Sequence, residues 1–162
     1  MKIQSTILII IFNLIHSFIL TQTVDAQNNF QFKKSTINPD SFLYKIDRGL
    51  EKVFLKFQFS NNLKMNYYTS QLEERFSELD YIASNKKLGQ FETTSQRFAA
   101  QAGTLVEHTV ANNLEKDKIR ETLSNYKNHL PKLRDLYQAN SSFWMLIQHD
   151  IDSLNLYLDK LK

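Results

Sequence analysis

The chain contains no cysteine, only three glycines and only two prolines among its 162 residues. The lack of cysteine excludes disulfides, thiolate-bound metals and a cysteine nucleophile within it. Strand-rich folds need many turns, and turns use glycine and proline heavily, so their scarcity indicates long helices. The formal net charge of +3 is small, and lysines alternate with acids along most of the chain. This pattern is typical of solvated helix surfaces and disfavours a nucleic-acid partner.

The first 26 residues have the features of a secretory signal peptide. Lys2 precedes an apolar run over residues 7–20, and Val24 and Ala26 fit a small-residue cleavage site. The run is shorter than the ~20 apolar residues that a membrane-spanning helix needs. We therefore predict a cleaved signal peptide at 1–26 and an extracytoplasmic protein, periplasmic or secreted. An uncleaved membrane anchor is the alternative.

The remaining 136 residues suffice for one ordinary domain with a sizeable core. Residues 27–38 are mostly polar and without period, which indicates a flexible leader. From Pro39 onward, apolar residues recur every three or four positions, as on one face of a helix. Short connections between long helices make consecutive helices antiparallel. We therefore predict an all-α fold over residues 39–162, an up-and-down antiparallel bundle of four to five helices.

Five apolar stripes define the predicted helices. The first helix begins at an Asp40 or Ser41 cap, the second at Ser60 or Asn61, and the third covers residues 91–112. The fourth contains Pro131, which we expect to kink it near Asn128, and the fifth follows a break and cap at residues 140–142. In chain order the stripes are Phe42, Ile46, Leu50, Val53 and Phe57; Met65, Tyr68, Leu72, Phe76, Leu79 and Ile82; Phe91, Phe98, Ala102, Leu105 and Thr109; Ile119, Leu123, Tyr126, Leu130, Leu133 and Tyr137; and Phe143, Ile147, Ile151, Leu154, Leu158 and Leu161.

The second and third helices carry further expectations. Lys86 and Lys87 are predicted to close the second helix, with Gly89 as its left-handed cap. Its acidic residues, Glu78 among them, are predicted to lie mainly away from the apolar stripe. Gly103 lies inside the third helix and costs about 1 kcal/mol relative to alanine.

Two stretches of the sequence follow a known family pattern. They comprise Pro39-Asp40-Ser41, Leu43-Tyr44, Arg48 and Glu51, and then Phe59, Lys64 and the run LEERFSE at residues 72–78. Together, over residues 38–85, they resemble the bacterial extracytoplasmic family known as domain of unknown function 5667. Phe42, Lys45 and Asp47 depart from the pattern. The resemblance implies a helical domain outside the cytoplasmic membrane and implies no activity.

One side of the first predicted helix combines positive charges with apolar side chains. We call it the basic–aromatic face; its members are Lys45, Arg48, Lys52, Lys56, Tyr44, Leu55 and Phe59. Such a face can lie against anionic lipid headgroups or an acidic envelope polymer. The alternative is that its apolar members pack inside the domain while the lysines solvate the surface.

A charge pair is predicted between the first two helices. If these helices form a hairpin that turns near residue 60, Arg75 comes level with Asp47. We interpret this pair as a structural clasp that sets the register of the hairpin. At an exposed position it would contribute about 0.2–1 kcal/mol.

Motifs for catalysis and metal binding are missing from the sequence. No histidine stands in a Glu-x-x-His spacing, although His149 and Asp152 lie three residues apart. Three glycines can hardly supply a phosphate-binding loop. We predict no cofactor, no metal and no enzymatic activity.

We therefore predict that the protein functions by binding an envelope protein or an anionic membrane surface. The off-stripe aromatic residues Phe54, Tyr67 and Trp144 can widen the core or form a patch for self-association or another protein. The alternative is a hydrolase or metal-dependent enzyme with its site between helices.

Overall fold

The structure, a computed structural model, describes residues 60–162. Over this range the chain is all-helical, with four α-helices and no strand. They are α1 (Asn61–Ser84), α2 (Phe91–Ala111), α3 (Lys116–Arg134) and α4 (Ser142–Lys160), and a 3₁₀ turn at Leu88–Gln90 precedes α2. These elements confirm the second to fifth predicted helices. The predicted signal peptide, leader and first helix lie outside the described residues.

Serine hydroxyls cap two of the helices. Ser60 Oγ accepts a hydrogen bond from the Leu63 N–H at 3.2 Å, before α1. Ser141 Oγ accepts from the Trp144 N–H at 3.3 Å, before α4. Each bond satisfies one of the first-turn donors that have no partner within the helix. Both predicted caps are thereby confirmed.

The end of α1 differs from the prediction. The helix ends at Ser84, and the chain turns at Lys86, which has a left-handed φ of 53°. The Lys86 N–H donates to the Ala83 carbonyl at 3.2 Å, and the Lys87 N–H donates to the Ile82 carbonyl at 3.0 Å. These two bonds form a Schellman motif. The prediction that the two lysines close the helix and Gly89 supplies the left-handed cap is wrong, because Lys86 itself adopts that conformation.

Two antiparallel hairpins, α1–α2 and α3–α4, make most of the contacts between consecutive helices. In the α1–α2 hairpin, Asn61 Nδ2 donates to Asn112 Oδ1 at 2.6 Å, so the start of α1 lies at the end of α2. In the α3–α4 hairpin, Arg134 Nη1 donates to Gln148 Oε1 at 2.7 Å. The end of α3 therefore lies beside the first half of α4.

The hairpins pack so that α1 lies beside α3, and α2 beside α4, in parallel pairs. The rings of Phe76 in α1 and Tyr126 in α3 stack with centroids 4.4 Å apart, and further along Tyr137 Oη donates to the Ala83 carbonyl at 2.8 Å. Ser95 of α2 likewise contacts Asp150 of α4. These parallel contacts were not predicted.

The predicted apolar stripes form the core. Leu72, Phe98, Leu123 and Leu154, one from each helix, are fully buried. Burying such a side chain contributes about 1.5–3 kcal/mol. Four members of the stripes are only partly buried and pack against this core: Tyr68, Tyr137, Phe143 and Leu158. α3 continues through Pro131 to Arg134, and the kink near Asn128 stays a prediction.

Candidate functional site

The predicted basic–aromatic face and Asp47 lie outside the described residues, so their contacts stay predictions. Arg75 is described, and it lies in the interior of the protein, so the energy given for an exposed pair does not apply to it. Its Nη1 donates to Glu78 Oε1 at 2.5 Å, and its Nη2 donates to Gln71 Oε1 at 3.2 Å. Residues three and four apart share one side of a helix, which brings these groups together.

The Arg75–Glu78 pair is buried at both ends, with side chains 2% and 1% exposed. The prediction that Glu78 lies away from the core is therefore wrong. Its spacing from the apolar stripe indicated a surface position, but α1 is buried on more than its apolar side, with residues 75–79 all buried. Removing one partner of such a pair leaves a buried charge and costs about 3–5 kcal/mol.

A second buried polar contact joins α2 to α4, and the sequence interpretation missed it. Asp150 on α4 is 2% exposed, and its Oδ2 accepts a hydrogen bond from Ser95 Oγ on α2 at 2.9 Å. Asp150 lies three residues after Ile147 and four before Leu154, so it belongs to the same helical face as these core residues. A lone acid on an apolar face was the signal that could have found it.

Burial changes the acidity of Asp150. It raises the pKa of the carboxyl to about 8, and the Ser95 hydrogen bond opposes part of that increase. The group is therefore mostly protonated at neutral pH. Buried carboxyls with raised pKa values are candidates for general acids. At 2% exposure, however, Asp150 meets α2 instead of a substrate.

Further along the same helix pair, Tyr157 lies against Gly103. A Cβ atom at position 103 would lie 2.8 Å from Tyr157 Oη and 3.1 Å from its Cζ. The ring of Tyr157 therefore occupies the space that a side chain at position 103 would need. Burial raises the pKa of Tyr157, and the negative charges of Glu107 and Asp150 act in the same direction.

The C-terminal ends of α2 and α4 form an open groove of about 410 Å³. We call it the α2–α4 groove; it is lined by Val106, Glu107, Val110, Ala111 and Lys160. Its apolar lining residues, Val106, Val110 and Ala111, are called its apolar centre, while Glu107 supplies a carboxylate and Lys160 an ammonium group. Such a groove can hold an apolar surface that carries charges of both signs.

The other predicted candidates take ordinary surface positions. His149 and Asp152 are both exposed on α4, and Asp152 Oδ1 accepts from Gln148 Nε2 at 2.9 Å. Within residues 60–162, no three His, Asp or Glu side chains lie close enough to hold a metal ion. Tyr67 and Trp144 are half-buried, and the Arg134 guanidinium lies over the Trp144 ring at 5.0 Å. None of the four described helices is both long enough and apolar enough to cross a membrane.

Comparison with known proteins identifies the family. The model for domain of unknown function 5667 matches residues 36–142, about two-thirds of the chain. The match extends well beyond the stretch that carried the resemblance, since it includes α1, α2 and α3 and ends at the first residue of α4. No curated protein and no solved structure matches the chain. The chain belongs to the family named domain of unknown function 5667.

Proposed function

We propose that the protein is an exported helical bundle that functions by binding at the cell envelope, to an anionic membrane surface or to an envelope protein. The proposal rests on the basic–aromatic face, because the sequence pattern places Lys45, Arg48, Lys52 and Lys56 on one side of the predicted first helix together with apolar residues. The cations attract phosphate and carboxylate groups, and the aromatic rings can enter the headgroup region. No nucleic acid, cofactor or metal is part of the proposal.

The packing of the described helices supports a binding role. Their interior is filled by apolar side chains, and the buried Ser95–Asp150 hydrogen bond joins α2 to α4. The two antiparallel hairpins agree with the proposed up-and-down bundle. What these helices offer to a partner is their outer surface, which includes exposed apolar side chains such as Val110 and Leu156.

Cosedimentation with lipid vesicles tests the membrane form of the proposal. Wild-type protein at low ionic strength is expected to pellet with vesicles containing phosphatidylglycerol and to stay in solution with neutral vesicles. Each lysine near such a surface contributes about 1 kcal/mol. The variant K45Q/K52Q/K56Q is therefore expected to bind roughly 100-fold more weakly.

A charge-matched control uses three lysines of α3, in the variant K116Q/K118Q/K132Q. It loses the same total charge and is expected to retain most of the binding. Wild-type protein that stays in the supernatant with anionic vesicles would contradict binding to the membrane surface. Equal losses in both variants would show that overall charge, and not the basic–aromatic face, drives the association.

The second candidate function is a hydrolase or metal-dependent enzyme with a site between helices. The observation that favours it is Asp150, a carboxyl of raised pKa between α2 and α4 with a serine hydroxyl beside it. Under this alternative, Asp150→Asn abolishes any hydrolytic activity found in a substrate screen while the protein stays folded. Under the binding proposal, the same substitution leaves vesicle binding unchanged.

A further inference from the structure

Exposed apolar side chains occur in the α2–α4 groove and on the side of α4 that carries Lys160. Val110 is 42% exposed within the groove, and Leu156 on α4 is 65% exposed. Leu156 lies four residues before Lys160, so the two share one side of α4. Apolar side chains of both helices are therefore exposed to water, and exposed apolar surface is common at protein interaction sites.

The charges beside this apolar centre have opposite signs and come from different helices. Glu107 belongs to α2 and Lys160 to α4. Among the residues that the structure describes, neither takes part in a salt bridge. The Lys160 ammonium lies 5.9 Å from the centre of the Tyr157 ring, at the edge of cation–π range. Both charges are therefore available to a partner.

A surface of this kind is complementary to itself. In a two-fold contact, the same patch of two copies meets after a rotation of 180°. If one residue of the first copy contacts a second residue of the other copy, the reverse contact is also made. The apolar centre of one copy would meet that of the other, and Glu107 of each would face Lys160 of the other. A different partner would have to supply both charges and an apolar centre of its own, whereas a second copy already has all three.

We propose that the α2–α4 groove is the contact surface of a two-fold dimer of this chain. The proposal goes beyond the function proposed above, because it uses a different surface and does not depend on membrane binding. The five lining residues of the groove are few compared with the roughly 20–30 residues that each partner contributes to a stable interface. The dimer is therefore weak, and its population depends on protein concentration.

Charge reversal tests the two-fold contact. Protein recovered after expression of the full-length chain is examined by sedimentation velocity over a range of concentrations. The single variants Glu107→Lys and Lys160→Glu each place like charges opposite each other, and each is expected to raise the dimer dissociation constant at least about tenfold. The double variant E107K/K160E restores opposite charges and is expected to return the constant close to the wild-type value.

Reversals on α3 supply the matched control. Lys118 and Glu121 are exposed on that helix, and Lys118→Glu and Glu121→Lys are expected to leave the dissociation constant unchanged. Val110→Asp places a charge in the apolar centre and is expected to abolish the dimer. A wild-type monomer at every concentration would overturn the proposal. Loss of the dimer in the double variant would overturn the two-fold geometry. Vesicle binding by the monomeric variants would show that the membrane function does not depend on the dimer.

Discussion

Replacing Asp150 with asparagine should change how the stability of the protein depends on pH. Asparagine keeps the shape of the side chain and an oxygen that accepts from Ser95, but it cannot ionise. The carboxyl of aspartate has a pKa of 3.8 as its ordinary value and about 8 in the folded protein. The folded state therefore keeps a proton that the unfolded state releases. The stability that Asp150 contributes is complete below pH 4 and is lost as pH rises towards 8.

The size of the change in stability follows from the difference between the two pKa values of Asp150. Each pH unit between the two pKa values changes the free energy of unfolding by about 1.4 kcal/mol. Over the whole interval the change is on the order of 5 kcal/mol, which is comparable with the total stability of many domains. Aspartate at position 150 should therefore be tolerated in acid and become destabilising in mild alkali.

Urea unfolding followed by far-ultraviolet circular dichroism measures the effect. The free energy of unfolding is determined for wild type and Asp150→Asn at each unit from pH 4 to pH 9. The free energy of unfolding of Asp150→Asn, relative to wild type, is expected to increase steadily as pH rises. At pH 9 the variant is expected to be more stable than wild type by several kcal/mol. Asp152→Asn removes an exposed carboxyl from the same helix and is the matched control. A constant difference between Asp150→Asn and wild type at all pH values would refute the reasoning.

Three further predictions concern the packing of the helices. Leu123→Asp puts an unpaired charge at a fully buried position and is expected to abolish the cooperative thermal transition; an unchanged melting curve would show that the α3 stripe is not buried. Gly103→Ala is expected to lower the free energy of unfolding by about 1–3 kcal/mol, because the new Cβ meets Tyr157 Oη at 2.8 Å. The loss is expected to be smaller in a Tyr157→Phe background. A gain in stability in the wild-type background would mean that helix propensity outweighs this contact. The predicted Asp47–Arg75 clasp should give a measurable coupling energy in a double-mutant cycle, and a coupling of zero would remove the pair.

Periodic positions could be predicted from the sequence because helix geometry alone determines them. The stripe from Ile119 to Leu133 recurs at spacings of three and four, and all of its members are buried in α3. The serine caps at Ser60 and Ser141 were predictable for a similar reason, since a short side-chain oxygen before an apolar run satisfies first-turn donors. Such local rules depend on nearby residues only.

Burial of charge could not be predicted in the same way. Arg75 and Glu78 are buried although charged residues are mostly exposed, and which side of α1 is covered depends on tertiary contacts. The left-handed residue at the end of α1 is a lysine where glycine is the usual choice. Loop lengths indicated the antiparallel hairpins, but nothing in the sequence periodicity specifies that α2 lies beside α4. The Ser95–Asp150 contact and the α2–α4 groove follow from that packing.

Export is the claim on which the proposed function depends most, and the mass and location of the protein in its own cells test it most directly. Cells are fractionated into cytosol, membrane and extracytoplasmic material, and the intact mass of the protein is measured in each fraction. We predict a chain that begins at Gln27, recovered outside the cytosol and in part with the membrane at low salt. A chain that still begins at Met1 and is recovered only from the cytosol would contradict the account.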